Sequence, residues 1–376
     1  LAKIGLHEWV QVTRAFASGN LLRYEGHFTA DFESDLAKAF GVKHVLTVTS
    51  GTSALTAALA ACKIGPGDEV LVPAYTWIAT AAAVVNVGAV PILVDIDESL
   101  TIDPADIERK ITPFTKAIIP VHMVNAPCDM DTIMAIAKKH RLLVIEDACQ
   151  AVGVSYKGRR LGAIGDAGAL SFNAYKNMNI GEGGAVITHD DTIFARARNY
   201  HDVGTYVRGH AETYNEPTFV GGNMRVTEIQ GAMLGAQLKK LDPMLGGLRA
   251  RRAAFAQVIA AGGKHRISPH NDPDSAVTLT VIFDTPEEAI AYAERGRAYR
   301  LFDNSKHVYT NWGPILTQQT FHPDMNPWKW ARRPIDYSDD MCARTLDILQ
   351  RTCRVYLGER NLPAALIRRK AKALAI

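Results

Sequence analysis

At 376 residues, 47% hydrophobic and 22% charged, the chain is long enough for two domains with substantial cores, and its composition excludes intrinsic disorder. Its 42 lysines and arginines against 39 aspartates and glutamates give a formal charge of +3, too even a balance for nucleic-acid binding but compatible with a local basic cluster for a small anion. The five cysteines, odd in number and without a CxxC pair, point to neither a disulfide framework nor a zinc site.

From about Lys43 to Thr188 short apolar runs alternate with helical patterns, the rhythm of a largely parallel sheet covered on both faces. The expected strands are His44–Thr47, Glu69–Val72, Val90–Val94, Ala117–Val121, Leu142–Ile145, Ala169–Phe172 and Ala185–Thr188. Between them fit helices over Ser53–Cys62, Ile78–Val87, Pro104–Lys110 and Met130–His140, the last with Asp129 as N-cap. The longest apolar stretch, Ala79 to Val94, is interrupted by Asn86, Gly88 and Pro91 and falls short of a membrane span. With no secretory pattern at the N-terminus, a reduced, cytoplasmic protein is expected. Val226 to Leu241 reads as a long amphipathic helix; Gly246-Gly247 then separate it from another helix opened by Arg249, Arg251 and Arg252. A boundary is therefore expected there, giving a large domain over 1–247 and a smaller C-terminal α+β domain over 248–376, with the N-terminal segment against the small domain.

Two positions stand out within this frame. Asp147 follows the buried run Leu142-Leu143-Val144-Ile145, at the strand end where open α/β sheets gather their ligands. Lys176 follows the strand Ala169–Phe172 on a later loop, ahead of Gly181-Glu182-Gly183-Gly184. A carboxylate that holds a pyridine nitrogen protonated and an amine that reaches an aldehyde suit a pyridoxal phosphate site. Taken singly, Lys176 reads as a solvated surface group and Asp147 as a helix cap or metal ligand, but no second carboxylate or histidine pair stands at ligand spacing. Ser50-Gly51-Thr52 opens a helix after the first strand and suits either a phosphate or simple N-capping. Without a following lysine it is not a P-loop, and neither glycine cluster, at 162–165 or 181–184, has Rossmann spacing.

With these residues in place, the chain resembles the sugar aminotransferases of the DegT/DnrJ/EryC1/StrS family, fold-type I pyridoxal phosphate enzymes. The likeness runs through Val48–Leu55, Gly65–Val70, Pro73–Thr80, Glu146–Gln150, Ser171–Gly184 and Gly222–Arg225. It implies an α/β fold whose large domain holds a mostly parallel seven-stranded sheet flanked by helices, and pyridoxal 5'-phosphate as cofactor. By the same resemblance Lys176 is the Schiff-base lysine and general acid/base, and Asp147 the partner of the pyridine nitrogen. Gln150 meets the ring hydroxyl, Trp77 stacks on the ring, and Gly51, Thr52 and Ser171 hold the phosphate. Asn223 reaches that phosphate from the neighbouring subunit, which implies a homodimer with shared active sites. Cys149 stands where many members have alanine and Asn125 where glycine is common.

The expected reaction moves an amino group from glutamate or glutamine to a keto sugar, as in amino sugar and polysaccharide biosynthesis. The acceptor is a nucleotide-linked keto sugar or an unactivated one such as a keto-octulosonate or an inosose. His201, His307, Tyr309 and Trp312 lie in segments that line the sugar pocket of similar proteins, with core packing as their alternative use. Arg208 and Arg225 suit a donor carboxylate or an anionic acceptor, surface salt bridges being the commoner use of such residues. Two other readings are weighed: a pyridoxamine-type sugar dehydratase, disfavoured by Lys176, and a non-catalytic regulator that keeps the fold. Retention of both Lys176 and Asp147 counts against the regulator. No metal is expected.

Overall fold

The computed structural model describes residues 4–204, 217–262, 265–296 and 298–357. The large sheet is built from β1 (His44–Val48), β2 (Glu69–Pro73), β3 (Val90–Val94), β4 (Thr115–Ile118), β5 (Leu143–Asp147), β8 (Ala167–Ser171) and β9 (Gly184–Thr188). A short hairpin, β6 (Ser155–Tyr156) and β7 (Arg159–Arg160), separates β5 from β8. The order across the seven-stranded sheet is β1-β9-β8-β5-β4-β2-β3, and β9 alone runs against its neighbours.

The near-continuous apolar runs of β2, β3, β8 and β9 follow from this architecture, since both faces of the sheet are covered. Val70 and Val72 of β2 join one hydrophobic cluster and Leu71 the other, as the two-residue pleat requires. Each such buried side chain contributes roughly 1.5–3 kcal/mol. The covering helices are α1 (Leu6–Ala17), α2 (Phe28–Phe40), α3 (Gly51–Ala61), α4 (Ala79–Asn86), α5 (Pro104–Lys110), α6 (Met130–His140), α7 (Asp191–His201) and α8 (Glu228–Ala261). Asp129 caps α6 by accepting from Thr132 N at 3.3 Å.

α8 differs from the expectation of two helices parted at Gly246-Gly247. It runs unbroken through Pro243 and both glycines for 34 residues. The reason is tertiary: α1 and α2 pack along α8, while Phe255, Ala256 and Ile259 near its end join the core of the small sheet. Packing of this kind outweighs the roughly 1 kcal/mol helix penalty of a glycine. Glu8 of α1 bonds Gln237 Nε2 at 2.9 Å and Lys240 Nζ at 2.5 Å, which ties the N-terminal segment to the part of α8 that precedes residue 247. Buried Glu228 accepts from the first amides of α2, Phe28 N at 2.6 Å and Thr29 N at 3.2 Å.

The small sheet comprises β10 (Arg266–Ile267), β11 (Thr280–Ile282), β12 (Ala298–Arg300) and β13 (Thr352–Val355), all antiparallel in the order β10-β11-β13-β12. With it go α9 (Pro286–Glu294) and α11 (Ala343–Gln350), while α10 (Gly313–Leu316) packs on the large-sheet core through Ile315 and Leu316. The segment between β12 and α11 returns to the large sheet. Arg333 pairs with buried Glu69 of β2 at 2.6 Å, and the Tyr337 hydroxyl donates to Pro91 O at 2.6 Å on the edge strand β3.

Candidate active site

The C-terminal ends of β1, β2, β4, β5 and β8 open on one cleft of about 500 Å³. Gly51, Thr52, Trp77, Asp147, Gln150, Ser171, Lys176 and His307, all singled out from the sequence, line it. A doubly covered parallel sheet concentrates its loops at this edge, which is why residues spread over 250 positions meet there.

Ser50 caps α3 by accepting from Ser53 N at 3.0 Å, so that Gly51 and Thr52 form the first turn at the cleft wall. This arrangement presents amide groups and the positive end of the helix dipole to an anion. Gly51 has no room for a side chain: a Cβ there would lie 2.7 Å from Cys149 Sγ and 2.9 Å from Ser171 Cβ. Gly51→Ala is accordingly expected to lower stability by about 1–3 kcal/mol through overpacking, measured by thermal melting.

Asp147 ends β5 with only 5% of its surface exposed. One carboxylate oxygen accepts from Cys149 N at 3.1 Å and the other from the Thr80 hydroxyl at 2.8 Å. The Thr76 hydroxyl, in the loop before α4, lies 2.8 Å from the Thr80 hydroxyl and can donate to it when Thr80 donates to Asp147. Burial first, and then the Asp147 charge, push the Cys149 thiol well above its ordinary range, which keeps it a protonated filler beside Gly51. On the preceding position Glu146 is fully buried and accepts from Gly162, Ile164 and Gly165 amides at 2.6–2.8 Å and faces His122 Nε2 at 3.0 Å. His122 Nδ1 accepts from Cys128 N, so Nε2 carries the ring proton and donates to Glu146. This network fixes the strand end on which Asp147 sits.

Val124 and Asn125 both adopt positive φ, 48° and 69°. Asparagine tolerates that region and a β-branched valine is strained in it, which accounts for glycine being a workable alternative at 125. The turn is held by Gln150, which accepts from Val124 N at 3.3 Å, and by Asn177, which donates to Asn125 Oδ1 at 2.7 Å. Asn125 and Asn177 thus tie the loop after β4 to the residue following Lys176.

The other expected site residues lie elsewhere. Asn223 is exposed and is not on the wall of this subunit's cleft. His201, Tyr309 and Trp312, expected to meet substrate, are interior residues. Tyr309 N donates to Ala74 O at 3.1 Å and its hydroxyl to Asp339 O at 2.5 Å, while Trp312 joins the large hydrophobic cluster. Arg225 pairs with buried Asp202. Arg208 lies outside the described residues. Among residues the sequence did not single out, Thr76, Thr80, Asn177, Lys306 and Arg354 line the cleft. The i, i+4 spacing of Thr76 and Thr80 was a readable signal; Arg354 carried none.

His201 Nδ1 donates to Arg198 O at 2.5 Å, and burial followed by the Arg23 charge lowers its pKa to about 3. The unfolded chain takes up a proton near its ordinary 6.5 while the folded ring stays neutral, so stability present above that value is lost as the pH falls towards 3. Melting temperatures are expected to fall from neutral to mildly acidic pH, and His201→Gln to flatten part of that fall.

The order of the seven-stranded sheet, the second, antiparallel sheet and the cleft at the strand ends define a fold-type I aminotransferase architecture. The chain belongs to the DegT/DnrJ/EryC1/StrS aminotransferase family, whose sequence model matches residues 4–322. GDP-perosamine synthase of Caulobacter vibrioides is 42% identical over 249 residues, which are 65% of this chain and 65% of that one. The chain thus spans a little under two thirds of that relative. UDP-N-acetyl-3-dehydro-alpha-D-glucosamine 3-aminotransferase of Acidithiobacillus ferrooxidans is 34% identical over 337 residues, 85% of this chain and 87% of that one. Among solved structures, that of 3-amino-5-hydroxybenzoic acid synthase superposes with a TM-score of 0.81 at 27% identity, covering 98% of this chain and 95% of that one. Among the described residues no helix is long and apolar enough to cross a membrane, and no group of acidic, histidine or cysteine residues could hold a metal ion.

Proposed function

We propose that the protein is a pyridoxal phosphate-dependent aminotransferase that takes nitrogen from glutamate or glutamine and delivers it to the carbonyl of a sugar or cyclitol. The observation that carries this reading is the meeting of Asp147, Lys176 and the N-terminal turn of α3 in one cleft. The residues suit the cofactor. Gly51 leaves a cradle that a Cβ would fill, Asp147 offers a buried carboxylate, and Lys176 supplies an amine to the same space.

In this reading Gly51, Thr52 and Ser171 hold the phosphate, Trp77 covers the ring and Gln150 meets the ring hydroxyl. When bound, the cofactor supplies an electron sink for the carbon that loses its proton. Asp147, held from both sides by Thr80 and Cys149 N, keeps the ring nitrogen protonated by opposite charge. Lys176 Nζ would hold the cofactor covalently and would serve as the base that takes the proton from the donor carbon.

A homodimer belongs to the same reading, with Asn223 completing the partner's phosphate site. Trp77 and Tyr175, 45% and 88% exposed at the cleft, are large aromatic surfaces of the kind a second subunit covers. The acceptor is a nucleotide-linked keto sugar or an unactivated keto-octulosonate or inosose, in a cytoplasmic pathway of amino sugar or polysaccharide biosynthesis. The two relatives named for perosamine and for aminated UDP-N-acetylglucosamine support the sugar class. The test is to load the protein with pyridoxal phosphate and add L-glutamate. Conversion of the visible band to a near-ultraviolet one with release of 2-oxoglutarate is expected; a band indifferent to glutamate and to glutamine would sink the reading.

A further inference from the structure

Asn223 is exposed in the stretch that precedes α8, yet the backbone beneath it is fixed on two sides. Gly222 N donates to Tyr200 O at 2.8 Å, Met224 N to His201 O at 2.8 Å and Val203 N to Gly222 O at 3.1 Å, which lays the segment along the end of α7. Asp202 and Asn223 pair there as an isolated antiparallel bridge. On the other side Thr49 N donates to Met224 O at 3.0 Å, so the segment is also tied to the residue that follows β1. The approach is close enough that a Cβ on Gly221 would collide with Tyr200 O.

The side chains add a buried clamp. Asp202 is 1% exposed, and its carboxylate accepts from the Tyr24 hydroxyl at 2.7 Å and pairs with Arg225, two residues beyond Asn223. Burial first, then the bond to Asp202, raise the Tyr24 pKa to about 12, so the phenol remains a donor across the neutral range. Arg225 N in turn donates to Asn223 Oδ1 at 3.3 Å. This turn engages the oxygen of the Asn223 amide and leaves its Nδ2 donors to meet a partner, the end that a phosphate oxygen requires. The clamp has no part in this subunit's own cleft, whose walls do not include Tyr24, Asp202 or Arg225.

We propose that Asp202 is a positioning residue for the active site of the second subunit: through Arg225 and the bridge to Asn223 it fixes the turn that presents the Asn223 amide to the phosphate bound there. The inference rests on the reading of Asn223 as the residue that completes the partner's phosphate site. An exposed amide on a loose turn loses affinity to the entropy of ordering it, whereas a turn held in advance does not. The charge pair between Asp202 and Arg225 supplies that order, so its loss acts across the dimer and not in the chain that carries it.

The test titrates pyridoxal phosphate into wild type, Asp202→Asn and Asn223→Ala and follows the visible band. Asp202→Asn keeps the shape of the side chain but removes the charge that holds Arg225, and is expected to raise the concentration for half-maximal band about tenfold. The double variant should bind no worse than Asn223→Ala alone, because the two residues act through one contact. Tyr24→Phe removes one donor and keeps both charges; it should shift binding a few-fold in the same direction, and it decides the matter if Asp202→Asn does not fold. Dimers isolated through two different affinity tags show where Asp202 acts. With Lys176→Ala on one chain and Asp202→Asn on the other, the one site that keeps Lys176 receives Asn223 from a chain with intact Asp202, and the band should form at the wild-type concentration. With both substitutions on one chain, the remaining Lys176 meets the loosened turn and the band should form at the raised concentration. Borohydride fixation reads the same occupancy without turnover. The reverse pattern overturns the proposal, as does a double variant whose loss multiplies the two single losses, or unchanged binding in Asp202→Asn and Tyr24→Phe beside weakened binding in Asn223→Ala. Unchanged binding in Asn223→Ala defeats the shared-site reading itself, and the proposal falls with it.

Discussion

Lys176→Ala is expected to abolish transamination while leaving the fold intact. Lys176 sits on a cleft loop, half-buried, and its backbone amide closes a turn by donating to Asn173 O at 2.9 Å, a bond that alanine keeps. Two losses combine in the variant. The first is the covalent anchor, so borohydride treatment of the loaded protein should fix the cofactor to the peptide containing Lys176 in wild type and to nothing in the variant. The second is the proton carrier, whose removal by itself lowers the rate by roughly 10²–10⁴-fold. Added methylamine should recover part of the first loss but little of the second, because a free amine lacks the orientation that the Asn125–Asn177 tether gives the loop. Equal melting curves with no covalent adduct would confirm the assignment. A normal adduct on Lys176→Ala would remove it.

The regular part of the fold could be read because its physics is local. β2, β3 and β9 are apolar runs bounded by turn residues, and Pro104–Lys110 and Met130–His140 carry their own start signals in Asp103 and Asp129. The unbroken α8 could not, because Pro243 and Gly246-Gly247 speak for a break and only packing against α1, α2 and the small sheet speaks against it. The site divides in the same way. Asp147 and Lys176 follow strand ends, a position with a general meaning in parallel sheets. Arg354 lies inside an apolar strand 178 positions beyond Lys176 and reaches the cleft only through the pairing of β13 with β11 and β12. Tyr309 and Trp312 looked like pocket aromatics, but the short pairing of Val308 with Tyr75 turns the segment so that His307 meets the cleft while Val308, Tyr309 and Trp312 fill the core.

Asp147→Asn is expected to cut the rate of the glutamate half-reaction severely while the protein still binds the cofactor. The side chains are nearly isosteric, and the Cys149 amide can still donate to the asparagine oxygen as it does to the carboxylate at 3.1 Å. On the proposed reading, what disappears is the negative charge that would lie beside the ring nitrogen. An opposite charge at close range in a buried site raises the pKa of a cationic partner by about 1–3 units, and its loss leaves the ring mostly neutral near pH 7. A neutral ring accepts electrons less readily, so the loss falls on the chemical step: the limiting rate drops and the glutamate concentration for half-maximal rate changes little. The local network adds a graded control. Thr80→Val removes the donor to the second carboxylate oxygen but keeps the charge, so its rate should lie between wild type and Asp147→Asn. Single-turnover spectroscopy checks the order of the three proteins, and the pH dependence of the loaded protein's spectrum checks the cause. A rate in Asp147→Asn equal to that of wild type would mean that the buried carboxylate serves only to hold Thr80 and the amide of Cys149.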